Sequence, residues 1–348
     1  MDDLTLQIIR LIITVVASFL VALFFTPLLG NFLRRHKLVK KISRSNVPIF
    51  MRLHKKKEGT PTMGGILVWG TVVIVMIIFN LISRLGQGTY LENINFFSRA
   101  ETLLPLGSML VCAFLGMIDD VLGILGIGVR GGGLRVREKI ILYTMVASFG
   151  AWWFYYKLEW DLISLPFLGN FYIGLWYLPV FIFVIVATTF STNETDGLDG
   201  LASGVLMIAF IALGIIAFIQ GRMDLAAFCG AIIGALLAFL WYNIYPAMFF
   251  MGDTGSMGLG VTLGIIAMLT NTALLLPFIA FILVLESSSV ILQVSSKKIF
   301  GRKIFLSTPI HHHFEAKGWH ESKVTMRFWI LAGVMASIGL IIYLLGYH

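Results

Sequence analysis

The sequence predicts an all-α polytopic membrane protein, and three observations carry that prediction: the composition, the length of the apolar runs, and where positive charge collects. Of 348 residues, 58% are hydrophobic and 13% charged, whereas a soluble domain carries about 25% charged residues. A soluble globule is excluded. A membrane-crossing helix needs about 20 mainly apolar residues. Ten such runs are present, at residues 7–32, 65–83, 103–119, 139–156, 174–191, 201–219, 224–243, 256–271, 274–296 and 325–346. These are spans 1 to 10. The connections after odd-numbered spans hold 21 of the 26 Lys and Arg residues: ten from Arg34 to Lys57, four from Arg130 to Lys139 and seven from Lys297 to Arg327. By the positive-inside rule those connections face the cytoplasm and both termini are periplasmic.

The formal charge of +8 is therefore a topology signal and calls for a lipid bilayer as partner, with no nucleic acid. In span 1 the positive flank follows the apolar run, which predicts an uncleaved first helix and not a secretory leader. Cys112 and Cys229 fall inside spans and read as core thiols. The longest polar stretch, 33–64, is shorter than a domain, so residues 1–348 form a single membrane domain. Between spans 4 and 5, Leu162 to Trp176 alternates around Gly169-Asn170 and predicts a short periplasmic β-hairpin.

Polar clusters gather at the span ends on the cytoplasmic side. Carboxylates at one water–lipid boundary suit chemistry between a soluble substrate and a lipid, where a transporter would tend to bury its ionisable groups mid-span. Asp119-Asp120 closes span 3, and two carboxylates at a helix C-terminus are unfavourable unless a cation or a function compensates. Asn193-Glu-Thr-Asp-Gly-Leu-Asp-Gly200 opens span 6. There Asn193 or Thr195 could cap the helix, while Asp196 and Asp199 would share a face of its first turn. Divalent metal, a sugar hydroxyl or a nucleobase edge are their candidate partners.

Asn243 to Ser256 links spans 7 and 8. Asp253 arrives at a helix N-terminus, which offers free N–H groups to a phosphate, while its carboxylate could hold a Mg²⁺ bridging that phosphate; a plain N-cap is the alternative. Phe249-Phe250 either faces lipid or forms a stacking platform. In His311-His312-His313-Phe-Glu315, an extended backbone would put only His311 and His313 on one face. Imidazoles that bind phosphate or handle protons fit this basic loop better than a zinc site does. Lys57 to Gly65 enters span 2 as an anion-contacting turn without a Walker pattern. Gly131-Gly132-Gly133 reads as a hinge. Glu286, deep inside span 9, is either hydrogen-bonded between helices or part of a path to the site.

Together these strings resemble the polyprenyl-phosphate N-acetylhexosamine-1-phosphate transferase superfamily. The resemblance runs from Gly59-Thr-Pro-Thr-Met-Gly-Gly65 through Asp119-Asp120, Thr195-Asp-Gly-Leu-Asp-Gly-Leu201 and Phe250-Met-Gly-Asp-Thr-Gly-Ser256 to Pro309-Ile-His-His-His-Phe-Glu315 and Lys317-Gly-Trp319. The triple histidine followed by Phe-Glu points to the phospho-N-acetylmuramoyl-pentapeptide transferase branch. The resemblance implies ten helices and Mg²⁺-dependent transfer of phospho-MurNAc-pentapeptide from UDP-MurNAc-pentapeptide to undecaprenyl phosphate, giving lipid I and UMP. It further implies a homodimer in the bacterial inner membrane with its active site on the cytoplasmic face.

By motif match the implied catalytic residues are Asp119, Asp120, Asp253 and His311, with Asp253 the metal ligand. Lys57, Asp199, Asn243 and Phe250 resemble a uridine pocket, with Thr62, Asn193 and Asp196 beside it. Lys139, His312 and His313 complete the implied substrate-binding set. Two positions depart from the pattern: Gly123 stands where the family commonly has Lys, and Glu194 where it has an apolar residue. Arg130 is a candidate replacement for the missing cation. The alternative functions are a sister transferase using UDP-N-acetylglucosamine and a transporter of lipid or nucleotide sugar.

The orientation is testable directly. A cysteine introduced at Ser43 should react with an impermeant thiol reagent only from the cytoplasmic side; labelling from the periplasm overturns the topology.

Overall fold

The computed structural model describes residues 3–39, 57, 59–88, 90–99, 101–128 and 132–346. Ser43 and most of the basic connection after span 1, together with Glu58, Arg130 and Gly131, lie outside the described residues. The long helices are α1 (Asp3–Arg35), α2 (Ile66–Leu85), α3 (Leu103–Leu125), α4 (Val136–Lys157), α5 (Tyr177–Thr195), α6 (Leu201–Ile219), α7 (Met223–Asn243) and α8 (Gly252–Leu269). A short α9 (Leu276–Ile279) leads into α10 (Phe281–Phe300), and α11 (Ile310–Ala316) precedes α12 (Glu321–Gly346). Strands β1 (Leu162–Leu165) and β2 (Gly169–Tyr172) pair antiparallel, Leu162 opposite Tyr172, as the expected hairpin.

Every expected span finds a helix, yet ten straight crossings do not result. Eight helices among the described residues are long and apolar enough to cross a membrane, or nine with the bent pair Ala273–Ile279 and Phe281–Phe300, which turns by 89°. The outlier is α4. Its first turn carries Arg137, Glu138 and Lys139, and its end is Trp- and Tyr-rich, a composition suited to the interface more than to the hydrocarbon centre.

Three helix ends differ from expectation. Asp119-Asp120 does not close its helix, because Val121 to Leu125 continue the apolar period for more than a turn. Asn193 to Thr195 do not open α6; they form the last turn of α5, where Thr195 Oγ1 donates to Ser191 O (2.7 Å). Asp196 and Asp199 consequently sit in the turn between α5 and α6 and share no helical face. The histidines are helical, in α11, which begins directly after Pro309.

Helix α8 is the centre of the bundle, buried from Asp253 to Leu269. Its glycines let neighbouring backbones close on it. A Cβ at Gly258 would stand 3.1 Å from Met109 O of α3, and one at Gly260 2.7 Å from Thr189 Cα of α5. From the other side, a Cβ at Gly116 of α3 would stand 2.1 Å from Asp253 O.

The connections sort into two groups at opposite ends of the bundle. At one end Arg10 reaches Asp224 Oδ1 (2.5 Å) and Asn95 O (2.6 Å), and Phe167 N–H of the hairpin donates to Gly346 O (2.8 Å). The acidic and histidine clusters occupy the other end.

Gly116→Ala should force α3 away from α8, since the added methyl meets backbone. Overpacking of this kind costs about 1–3 kcal/mol, so the thermal midpoint in detergent should fall; an unchanged midpoint would show that this approach is not close.

Candidate active site

Lys139, in the first turn of α4, sends its ammonium between α3 and α8. It lies 2.8 Å from Asp119 Oδ2 and 2.8 Å from Asp253 Oδ2, and donates to Asn193 Oδ1 at 3.4 Å. Asn193 in turn donates through Nδ2 to Asp253 Oδ1 (2.6 Å) and Ser256 Oγ (2.9 Å). The second oxygen of Asp119 accepts the Leu134 N–H. Gly133 makes that contact possible, with φ of +87° and no room for a side chain, because a Cβ would stand 2.9 Å from Asp119 Oδ1. Gly133 therefore seats backbone on a carboxylate.

Asp120 follows about 100° round the helix and meets other partners. Its Oδ2 accepts Thr254 N–H (3.0 Å), and its Oδ1 accepts from Thr62 Oγ1 (3.5 Å). Asp196 Oδ2 accepts Gly252 N–H (3.0 Å). Two first-turn amides of α8, expected to be free for a phosphate, are thus held by carboxylates, as buried N–H groups demand an acceptor. Thr62 is brought in by backbone pairing: Phe250 N–H donates to Pro61 O (2.8 Å) and Gly64 N–H to Phe250 O (2.8 Å). Between them Met63 has a φ of +71°, a strained conformation for a side-chain-bearing residue.

A second network surrounds Lys57. Its ammonium pairs with Asp199 Oδ1 (2.7 Å) and with Glu321 Oε1, and lies 5.7 Å from the ring centroid of Phe250. Asp199 Oδ2 accepts Ala247 N–H (3.0 Å). Asn243 Oδ1 accepts from Gly200 N (3.1 Å) and Ser203 Oγ (3.1 Å), while its Nδ2 donates to Phe249 O (2.9 Å). Phe249 is buried and Phe250 half-buried, so Phe249 neither faces lipid nor offers a platform. Lys57, Asp199, Asn243 and Phe250 meet as the sequence motifs suggest. Asn193 belongs instead to the Lys139 side, and Thr62 to Asp120.

The three histidines have three environments. His311 is 0% exposed, and its Nδ1 lies 3.0 Å from Oε2 of Glu286, itself 0% exposed. Among the described residues His311 Nε2 has no hydrogen-bond partner, and it lies against Gly197, where an added Cβ would stand 2.4 Å from it. His312 Nδ1 pairs with Glu315 Oε2 (2.7 Å), and His313 Nδ1 accepts the Leu306 N–H (3.2 Å). Burial alone would lower the His311 pKa, but the Glu286 charge and hydrogen bond, with Glu315 and Glu194 beyond, outweigh it and raise the pKa. Partial burial and then Lys317 lower that of His313. Glu286 is thus hydrogen-bonded across elements, which settles the first of its two readings.

Comparison with known proteins decides the family. Residues 102–271 match the family model described as glycosyl transferase family 4, and residues 57–67 match phospho-N-acetylmuramoyl-pentapeptide-transferase signature 1. A phospho-N-acetylmuramoyl-pentapeptide-transferase of Chloroflexus aurantiacus is 40% identical over 344 residues, covering 95% of this chain and 89% of the relative. One of Clostridium perfringens strain 13 is 39% identical over 330 residues, covering 94% and 97%. The chain belongs to the phospho-N-acetylmuramoyl-pentapeptide-transferase family.

This member of the family is a multi-pass membrane enzyme, and its two sequence departures have physical accounts. At Gly123 the chain packs backbone on backbone: a Cβ on Gly132 would lie 3.0 Å from Gly123 Cα. Glu194, half-buried at the end of α5, lies within electrostatic reach of Lys139 and His311. Two contributors escaped the sequence reading. Ser256 is an ordinary residue of a small-residue helix, and Glu321 reads as a helix-start acid near a basic loop.

Among the described residues no three or more His, Cys, Asp or Glu side chains form a metal cage. The donor set nevertheless fits magnesium, which characteristically takes one or two carboxylates and completes its shell with water and substrate phosphate. Asp119 and Asp253 converge on a single cation position, the Lys139 ammonium.

Because the His311 pKa is raised on folding, its pairing with Glu286 stabilises the protein fully below about pH 6.5, the unperturbed histidine value, and loses effect as pH rises through the raised value. Glu286→Gln should therefore lower the thermal midpoint most near pH 6 and progressively less at alkaline pH. A pH-independent difference would show that the pair is not ionic.

Proposed function

We propose that this enzyme transfers phospho-MurNAc-pentapeptide from UDP-MurNAc-pentapeptide to undecaprenyl phosphate, releasing UMP and forming lipid I, a step of peptidoglycan precursor synthesis. The reading includes Mg²⁺ dependence and an active site on the cytoplasmic face of the bacterial inner membrane. The observation that carries it is Lys139 held between Asp119 and Asp253 at the end of the bundle where the basic connections lie.

The reaction exchanges one phosphoanhydride for another. An oxygen of the lipid phosphate bonds to the phosphorus of the sugar phosphate, and the bond from that phosphorus to the UMP oxygen breaks. No external energy source is needed, so positioning and charge neutralisation dominate. The second pKa of a phosphate monoester is about 6, which leaves the nucleophile largely dianionic at neutral pH. Asp119 accordingly has little proton to remove. Its two oxygens accept from Lys139 and from the Leu134 N–H, and its role here is to fix the ammonium that meets a phosphate oxygen. Asp253 would hold Mg²⁺, which when bound supplies positive charge to the diphosphate. Lys57, Asp199, Asn243 and Phe250 bind the uridine, and the helix that carries His311 to His313 lies on the sugar-phosphate side.

Purified protein should release UMP from UDP-MurNAc-pentapeptide only when polyprenyl phosphate and Mg²⁺ are both supplied. Asp253→Asn should abolish this release with the fold intact; persistence at normal Mg²⁺ dependence would reduce Asp253 to a helix residue. Among the histidines, Ala at His311 should cost about 10²-fold if Nε2 contacts the transition state, and more than Ala at His313. Equal mild losses, or preference for UDP-N-acetylglucosamine, would remove the basis for the muramoyl substrate.

A further inference from the structure

Helix α3 packs on α8 and α4 packs on α5, while α3 and α4 touch each other only sparsely. The Lys139–Asp119 ion pair joins them at one end. Towards the other end they leave a groove of about 510 Å³, walled by Leu103, Leu104 and Val111 of α3 and by Met145, Phe149 and Trp153 of α4. Gly107 forms part of its lining, and a Cβ added there would meet nothing within 4 Å. Arg99 lines the groove just ahead of α3, at the bundle end opposite the carboxylates. It is exposed and, among the described residues, takes part in no ion pair.

We propose that this groove holds one acyl chain of an anionic phospholipid whose phosphate lies against Arg99. The walls are apolar along their length, so within a bilayer the occupant is a hydrocarbon chain. The exposed guanidinium selects its headgroup, because a cation at the membrane surface attracts an anionic lipid and a guanidinium matches phosphate geometry. Phe149, Trp152 and Trp153 cluster beside the groove, with ring centroids 5.9 to 6.4 Å apart, and Trp is enriched at headgroup depth. A second copy of the chain is the alternative occupant, and the change of oligomeric state it requires separates it from a lipid.

The test is native mass spectrometry of the full chain in detergent, titrated with phosphatidylglycerol and with phosphatidylcholine of the same acyl chains. Wild type should bind the first phosphatidylglycerol about fivefold more tightly, the preference one cation near the headgroup confers. Arg99→Gln should keep one bound lipid and lose the preference. Gly107→Leu, which fills the groove, should lose that lipid altogether; should it fail to fold, Val111→Phe fills the same space from an exposed position. Undiminished preference in Arg99→Gln and in the filled variant would overturn the proposal. So would a filled variant that changes oligomeric state without losing lipid, which would make the groove an interface between copies.

Discussion

Carboxylates buried at the end of a helical bundle stay charged only where cations or amide N–H groups come to them, and that constraint organises this protein. Asp119 and Asp253 share Lys139; Asp199 and Glu321 share Lys57; Asp120 and Asp196 are satisfied by the first turn of α8. Removing one member of such a buried pair leaves the other unpaired, at a cost of about 3–5 kcal/mol. The two lysine networks are also mechanically one unit. Residues 61–64 pair with Phe250, so the segment that carries Thr62 to Asp120 begins only four residues after Lys57 in the chain.

The carboxylates can converge only because backbones approach closely. Gly116 rests on Asp253 O, Gly133 on Asp119, and Gly197 on the His311 ring. In each case the glycine removes a side chain that would occupy the position of a functional group. A transferase that works by placement depends on such contacts, since small misplacements of reacting groups carry large rate penalties.

Which residues matter was legible in the sequence, because a charge at the edge of an apolar run stands out against its surroundings. How they are oriented was much less so. Asp119-Asp120 marks the end of the apolar run by composition, yet Val121 and Leu122 carry the helix onward, and being inside it sends the two carboxylates to different neighbours. Asn193 and Thr195 are favoured capping residues, and their position at the close of α5 depends on the left-handed turn at Gly200, with φ of +75°, which starts the next helix later. The helical form of the histidine segment rests on tertiary contacts, above all His311 with Glu286, that no local pattern contains. The broken ninth span has the same origin: Phe278 and Ile279 pack against Gly339 of α12, which its own apolar run does not reveal.

The geometry also bears on what Asp119 does. Each oxygen of Asp119 already accepts from a donor, one from the Lys139 ammonium and the other from the Leu134 N–H, so the carboxylate is held in place as the partner of Lys139. Lys139, by contrast, divides itself between two carboxylates and the Asn193 oxygen. An ammonium carries three donors, so a phosphate oxygen reaches it only by taking the place of one of these partners. The weakest is Asn193 Oδ1, at 3.4 Å, and Asn193 keeps its hold on Asp253 and Ser256 through Nδ2 when that contact is given up. The arrangement therefore lets an incoming phosphate reach the cation without leaving either carboxylate unpaired.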